Sequence, residues 1–164
     1  IGHEMTHGFD DQGRHYDKDG NMTDWWTAED GKNFEARTGK YADFFSAIKV
    51  LPDLYANGKL TLGENLADHG GLEVAFNAFM KTPKAGKTIM GFTPEQRFFI
   101  AYAGVWANNI TEAEIRSRVK SDPHSLGEWR VNGALPHINA WYKAFGVKEG
   151  DKLFIPESKR LKLW

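Results

Sequence analysis

The chain contains no cysteine among its 164 residues. This absence excludes disulfide bonds, zinc sites built on thiolates and a cysteine nucleophile. An excess of one charge is also missing, because 21 Lys and Arg residues stand against 22 Asp and Glu residues, for a formal net charge of -1. A balanced charge gives no electrostatic reason for binding nucleic acid or an anionic membrane, and we expect neither partner.

Long hydrophobic runs are absent too. The longest apolar run, FFIAYAGVWA at residues 98–107, has about half of the roughly 20 residues that a bilayer-spanning helix needs. We therefore expect no membrane-spanning segment within this sequence. The composition, 41% hydrophobic and 26% charged, is typical of a globular chain, and we expect one folded unit.

Helical spacing of apolar residues and N-cap signals predict a mainly helical fold with little or no sheet. The sequence shows no alternating pattern typical of strands, no internal repeat and no low-complexity linker. Residues 1–8 are expected to be the end of a first helix, with Gly8 at its stop. Further helices are predicted at residues 27–46, 61–80, 93–106, 111–120 and 136–145.

The segment His3-Glu4-Met5-Thr6-His7 fits the pattern H-E-x-x-H. On a helix, residues four apart share a face, so both imidazoles can reach one zinc ion. Glu4 lies beside them as a candidate general base. Two histidines do not complete a zinc site, and a third protein ligand is required.

The position of the third ligand separates the classes of zinc peptidase. The extended metzincin pattern requires Gly at position 10 and His at position 13, where this chain has Asp10 and Gly13. Enzymes that resemble thermolysin or the membrane alanyl aminopeptidases place a Glu about 20 residues after the second His. This chain has Trp26 and Thr27 there, so these classes do not fit.

The remaining carboxylate candidates are Glu29, Glu35 and Glu64. Glu64 has a second carboxylate, Asp68, one helical turn later, and one turn brings both to one face. Glu64 can then complete the site while Asp68 accepts a hydrogen bond from a zinc-binding histidine. The alternative is that Glu64 only caps its own helix, because Thr61-x-x-Glu64 matches a capping box.

At this point the whole chain resembles the neprilysin and endothelin-converting enzyme family of zinc metalloendopeptidases. The segments that carry the resemblance occur in the family's order: IGHEMTHGFDDQGR, DGNMTDWW, NGKLTLGENLADHGG, FFIAYAGVWA, SDPHSLGEWRVNG, AFGVKEGDK and the final Trp164. The pairing of H-E-x-x-H with E-N-L-A-D is specific to this family. The resemblance implies a helical catalytic subdomain of the gluzincin type that holds one zinc ion.

The resemblance also assigns roles to the residues of these two motifs. It makes His3, His7 and Glu64 the zinc ligands and Glu4 the catalytic carboxylate. Asp68 becomes the residue that orients a zinc-binding histidine.

Other residues receive roles from the remaining motifs. Asp10 is expected to support His7. His124 is expected to stabilise the oxyanion that forms when water adds to the peptide carbonyl, and Arg130 to bind a backbone carbonyl of the substrate. No role is assigned to the other histidines, which are expected at the solvent edge, at the surface or half-buried: His15, His69 and His137.

The function that the resemblance implies is endopeptidase activity on internal bonds of oligopeptides, on the N-terminal side of hydrophobic residues. An alternative of a different class is a catalytically silent module that binds zinc or peptide. Glu4 and His124 argue against that alternative, because a structural zinc site needs neither a general base nor an oxyanion donor.

The resemblance further implies that residues 1–164 are a single C-terminal catalytic fragment of a larger chain. The family's substrate-gripping segment and helical gating region should precede it, so we expect the N-terminal part to be a partner and the isolated fragment to be inactive or weakly active. Ala107 and Leu161 stand where animal members have cysteine, which favours a bacterial member. A bacterial member would favour the periplasm or the exterior, although the cytoplasm stays open.

Overall fold

The computed structural model describes residues 1–82 and 86–163. Trp164, which forms part of the family resemblance, lies outside the described residues. The α-helices are α1 (Gly2–Thr6), α2 (Ala28–Ser46), α3 (Leu62–Met80), α4 (Pro94–Val105), α5 (Glu112–Ser121), α6 (Gly127–Asn132) and α7 (Asn139–Phe145). Short 3-10 helices cover His7–Phe9, Gly13–His15, Leu135–His137 and Glu157–Lys159. The predicted mainly helical fold is confirmed.

Sheet structure is confined to a small hairpin in the described part of the chain. Strands β1 (Lys49–Leu51) and β2 (Leu54–Tyr55) pair in antiparallel fashion. Among these same residues, no helix combines the length and the apolar character needed to cross a bilayer.

Threonine side chains begin several of the predicted helices. Thr27 accepts a hydrogen bond from the backbone of Asp30 at 3.1 Å, and Thr93 forms a complete capping box with Gln96. These bonds satisfy backbone N–H groups that have no partner within the helix. The predicted starts of α2 and α4 are therefore confirmed.

The capping box expected at Thr61 is wrong. Thr61 makes no side-chain cap of α3, and its hydroxyl instead donates to the carbonyl oxygen of Asn57 at 3.0 Å. Glu64 is therefore not the capping partner of Thr61, and its carboxylate can make other contacts.

Two helical elements near the site also differ from the prediction. The first helix ends at Thr6 and the chain continues into a 3-10 turn that contains Gly8, so Gly8 is not a helix stop. Helix α6 has no predicted counterpart, because its N-cap residue is Leu126, which offers no side-chain hydrogen bond. A helix this short without a polar cap leaves almost no local signal in the sequence.

Helix α3 lies at the centre of the core. Leu66 belongs to one buried cluster with Phe34, Phe45 and Leu163, and Leu72 belongs to a second with Phe99 and residues of the C-terminal third. Because Leu66 and Leu72 of α3 are packed into two different clusters, the segment between them has a fixed position relative to the rest of the fold.

His69 and His137 are buried, which corrects the expectation that they lie at the surface or solvent edge. Their exposed fractions are 1% and 5%, and their rings stack at a centroid distance of 6.1 Å with Tyr41 against both. Burial lowers the pKa of His69 to about 3 and that of His137 to about 4. Both rings are therefore neutral in the folded protein at neutral pH.

We expect the free energy of unfolding to fall as the pH drops from 6.5 towards 4. In the unfolded chain these histidines take up protons near pH 6.5, whereas in the folded protein they stay neutral. The free energy of unfolding is therefore at its full value above pH 6.5 and falls below it. Replacement of His69→Phe should reduce the loss between pH 6.5 and 4.5 by about 2 kcal/mol. Urea unfolding of the metal-free protein at both pH values measures this difference.

His15→Phe is the control, because the His15 side chain is 37% exposed and water reaches it in both states. This variant should keep the parental pH dependence. Equal slopes for the parent and His69→Phe would contradict the assignment of a buried neutral His69.

Candidate metal centre

The backbones of α1 and α3 touch at a pair of glycines. A Cβ atom on Gly71 would lie 2.5 Å from the His3 nitrogen, and one on Gly2 would lie 2.7 Å from the Gly71 oxygen. No side chain fits between helices at such distances, so glycine at both positions permits the contact. The contact places the H-E-x-x-H segment directly against the middle of α3.

This approach brings together His3, His7 and Glu64. His3 Nε2 is 3.0 Å from His7 Nε2 and 3.2 Å from Glu64 Oε2, and His7 Nε2 is 3.5 Å from Glu64 Oε1. Within the described residues, these three are the group of His and acidic side chains whose ligand atoms converge, all within 4.8 Å of one another. The candidates Glu29 and Glu35 are not part of this group.

The spacing of these atoms fits a tetrahedral metal ion. Ligands placed about 2.0–2.2 Å from zinc lie roughly 3.3–3.5 Å from each other. The observed separations of 3.0, 3.2 and 3.5 Å, the last two measured to different oxygens of Glu64, lie close to that value. The donor set also suits zinc, because two imidazole nitrogens and one carboxylate with an open fourth position form the common catalytic arrangement.

A carboxylate lies behind each of the two histidines. His3 Nδ1 pairs with Asp68 Oδ1 at 2.9 Å, and His7 Nδ1 pairs with Asp10 Oδ2 at 2.7 Å. With Nδ1 donating, each Nε2 presents its lone pair to the centre. The hydrogen bond with Asp68 raises the pKa of His3 above its ordinary value, although burial acts against it.

Asp10 is itself held in place by the chain that follows it. Its Oδ1 atom accepts hydrogen bonds from the backbone of Gln12 at 2.9 Å and Gly13 at 2.7 Å. The carboxylate is buried, so the expected support of His7 has a rigid geometric basis.

Arg130 of α6 reaches the carboxylate of Asp68, the residue behind His3. Its Nε and Nη2 atoms donate to Asp68 at 2.6 and 2.8 Å, and its guanidinium carbon lies 4.0 Å from the centre of the Trp106 ring. Nη2 also lies 3.4 Å from Glu64 Oε2. Sequence reasoning placed Arg130 at the substrate, and the structure engages two of its nitrogens with the carboxylates of α3.

His124 faces the centre from the loop after α5. Its Nε2 atom is 3.4 Å from Glu64 Oε1, and its side chain is 42% exposed. Asp122 Oδ1 accepts hydrogen bonds from both the backbone and Nδ1 of His124, at 2.9 and 2.7 Å. Burial alone would raise the pKa of Asp122, but these bonds and Arg118 lower it to about 2.

Glu4 lies on α1 between the two histidines in sequence, with an exposed side chain. Its neighbour Met5 is exposed as well. The structure thus places Glu4 at the exposed surface of α1 rather than among the buried supporting groups.

Some residues of the site had no role in the sequence analysis. The contact between Gly2 and Gly71 was not predicted, although the pair Gly70-Gly71 inside a predicted helix is a signal of close packing. Asp122 also carried a signal, since an Asp two residues before the histidine can accept the backbone N–H of residue 124 in an Asx turn.

The model of peptidase family M13 matches residues 1–161. The chain belongs to peptidase family M13. This result confirms the resemblance to the neprilysin and endothelin-converting enzyme group, whose members are among its relatives.

Among family M13 relatives, Neprilysin-3 of Drosophila melanogaster is 36% identical over 160 residues, covering 93% of this chain and 20% of the relative. Endothelin-converting enzyme 1 of Homo sapiens is 36% identical over 161 residues, covering 95% of this chain and 21% of the relative. Zinc metalloprotease Zmp1 of Mycobacterium tuberculosis, solved with an inhibitor, superposes with a TM-score of 0.94 at 39% identity, covering 99% of this chain and 26% of that chain. The chain thus spans about a fifth to a quarter of the length of these relatives.

We expect Gly71→Ala to weaken zinc binding by about tenfold or more, the scale seen when the supports of metal ligands are lost. The added methyl group would meet the backbone of His3 at 2.5 Å, so α1 must move away from α3. Competition with a fluorescent chelator measures the affinity.

Gly39→Ala on α2 is the matched control, because nothing lies within 4 Å of the added Cβ. It should bind zinc like the parent. Parental zinc affinity in Gly71→Ala would show that the close approach does not position the site.

Proposed function

We propose that this chain is the catalytic part of a zinc-dependent endopeptidase that hydrolyses internal peptide bonds of oligopeptides. The observation that carries the proposal is the convergence of His3 Nε2, His7 Nε2 and the Glu64 carboxylate, with separations of 3.0–3.5 Å. The carboxylates behind both histidines add to it, because they prepare both Nε2 atoms for a metal. Membership of family M13 agrees with this reading.

The centre would hold one zinc ion through His3, His7 and Glu64, with one open position. Zinc supplies a Lewis acid that activates water and polarises the scissile carbonyl. Glu4, exposed at the surface of α1, would accept the proton of the attacking water. It would then deliver that proton to the leaving amine.

His124 would donate a hydrogen bond to the oxyanion that develops on the carbonyl. Its Nδ1 donates to Asp122 at 2.7 Å, so Nε2, which is directed at the centre beside Glu64, would donate from the ring form that carries a proton on both nitrogens. A donor fixed in advance lowers the barrier because it needs no rearrangement when the charge forms. Arg130, whose Nη1 takes no part in the bonds to Asp68, would bind a backbone carbonyl of the substrate.

An apolar groove beside His3 would accommodate a hydrophobic substrate residue next to the scissile bond, as the preference for cleavage before hydrophobic residues requires. The groove has a volume of about 510 Å³ and runs between α1, α3 and α4, where Leu72, Phe79, Phe98 and Val105 line it. Since a hydrophobic side chain gains free energy when it leaves water, substrates with such a residue next to the scissile bond would bind best.

The activity of the whole protein would depend on more than these residues. The relatives are about four to five times as long as this chain, as its 20–26% coverage of them indicates. A longer part would supply further walls of the cleft and act as a partner for this chain. Activity should therefore be measured on the full-length protein that carries these residues.

We expect Glu4→Gln to retain one zinc per chain and to lose peptide hydrolysis by a factor of about a thousand or more. The amide keeps the shape of the side chain but cannot accept a proton, and general-base catalysis contributes about 10²–10⁴-fold. Metal analysis and steady-state kinetics on a reporter peptide with a hydrophobic residue after the scissile bond measure both effects.

The matched control is Glu29→Gln, which changes an exposed carboxylate outside the site and should leave kcat unchanged. Zinc binding by a parent protein that hydrolyses no peptide would instead favour a silent zinc-binding module. Zinc held through Glu29 or Glu35 with Glu64 turned away would overturn the ligand assignment.

His124→Leu should lower kcat by about 100-fold or more while KM changes little. An oxyanion donor acts mainly in the transition state, and removal of one such donor costs about 10²–10³ in kcat. Steady-state kinetics give both constants, and His15→Leu, distant in sequence and half-buried, serves as the control. An unchanged kcat in His124→Leu would refute the role.

A further inference from the structure

A buried hydrogen bond joins the His124 loop to the first turn of α3. The Ser125 hydroxyl donates to Asn65 Oδ1 at 2.7 Å, and the two residues are 6% and 1% exposed. Ser125 directly follows His124, and Asn65 directly follows Glu64. The bond therefore connects the two backbone segments whose side chains, His124 Nε2 and Glu64 Oε1, lie 3.4 Å apart in the site.

The orientation of the Asn65 amide follows from its other partner. The Thr61 hydroxyl donates to the Asn57 carbonyl oxygen at 3.0 Å, so its oxygen accepts from Asn65 Nδ2, at 3.0 Å. The carbonyl end of the amide must then face Ser125. Ser125, Asn65 and Thr61 form a directed chain of hydrogen bonds, which is strong in a buried setting and costly to interrupt.

The hydrogen bonds of His124 with Asp122 do not connect it to α3. Asp122 holds the ring and backbone of His124 within its own loop, and Asp122 is in turn bonded to Arg118 of α5 at 2.7 Å. These bonds tie His124 to the α5 side. The bond from Ser125 ties it to the helix that carries Glu64.

A second connection to α3 follows one helical turn further along. Arg130 of α6 bonds Asp68, three residues after Asn65 on the same helix. The segment from Ser125 to Arg130 is thus attached to α3 at both ends. Loss of the first attachment would leave α6 in place and free the loop that presents His124.

We propose that Ser125 and Asn65 are positioning residues for His124, and that their hydrogen bond sets the distance between the oxyanion donor and the metal ligand Glu64. This proposal rests on the proposed function for its catalytic consequence. Both side chains are buried, so we expect neither to contact a substrate. Both act through the backbone of their neighbours in sequence.

The first test is Ser125→Ala in the full-length protein. We expect kcat to fall on the order of 10- to 100-fold, with KM within about twofold and zinc affinity unchanged, because a displacement of about 1 Å at a catalytic group costs up to about 10²-fold in rate. Ser125→Thr, which keeps the hydroxyl, should recover most of kcat. If Ser125→Ala does not fold, Ser125→Cys keeps the size of the side chain and weakens the donor.

A double-mutant cycle tests whether the two residues act through one bond. Asn65→Leu should reduce kcat like Ser125→Ala, and the double variant should lose no more than either single variant. Ser121→Ala is the matched control, because the exposed Ser121 hydroxyl donates to the carbonyl oxygen of Ser117 in its own helix at 3.3 Å, and this variant should keep parental kinetics.

A structural measurement separates this proposal from the proposed function. Amide hydrogen exchange across residues 122–126 should accelerate in Ser125→Ala, and a crystal structure should show His124 Nε2 further than 3.4 Å from Glu64 Oε1. These readouts decide the positioning role even if the parent protein hydrolyses no peptide, an outcome that would refute the function alone. A lowered Tm with parental kcat and an unmoved His124 would overturn the proposal.

Discussion

The contact between the backbones of α1 and α3 determines the rest of the site. With glycine at positions 2 and 71, the two helices approach until a Cβ on Gly71 would lie 2.5 Å from the His3 nitrogen. Glu64 and Asp68 of α3 are four positions apart, as are His3 of α1 and His7 of the 3-10 turn that follows it, and residues with this spacing share one face of a helical segment. His3 consequently meets both Asp68 and Glu64 across the contact. A side chain at position 2 or 71 would hold the two helices too far apart for His3 to reach Asp68 and Glu64.

Asp68 is the group that several elements share. It accepts from His3 of α1 and, in a two-bond pairing, from Arg130 of α6. A buried carboxylate needs charge compensation, and loss of one partner of a buried ion pair costs about 3–5 kcal/mol. Arg130 therefore permits a charged Asp68 behind His3, and the stacking of Arg130 on Trp106 at 4.0 Å fixes that cation in turn.

Local signals in the sequence predicted most of the helices and, with the family resemblance, the group His3, His7 and Glu64. Most other contacts between segments distant in sequence were not predicted. The N-caps Thr27 and Thr93 depend on neighbours three residues away, so their helices were predictable. The H-E-x-x-H spacing and the family resemblance together named Glu64. Thr61 fits a capping box equally well by pattern, yet its hydroxyl turns to Asn57. The burial of His69 depends on Tyr41 and residue 137, which no local pattern brings together.

The supporting groups of the site are buried, whereas the side chains of Glu4 and His124 are exposed. Asp68, Asp10 and Asn65 are buried, so the hydrogen bonds that orient the histidines and the His124 loop lie where water competes least. Glu4 is exposed and His124 is 42% exposed, so both remain hydrated until another molecule covers them. Electrostatic interactions strengthen as water leaves. In the proposed function, the catalytic contribution of these two residues would therefore develop only when a peptide and the further walls proposed for a longer protein exclude water from them.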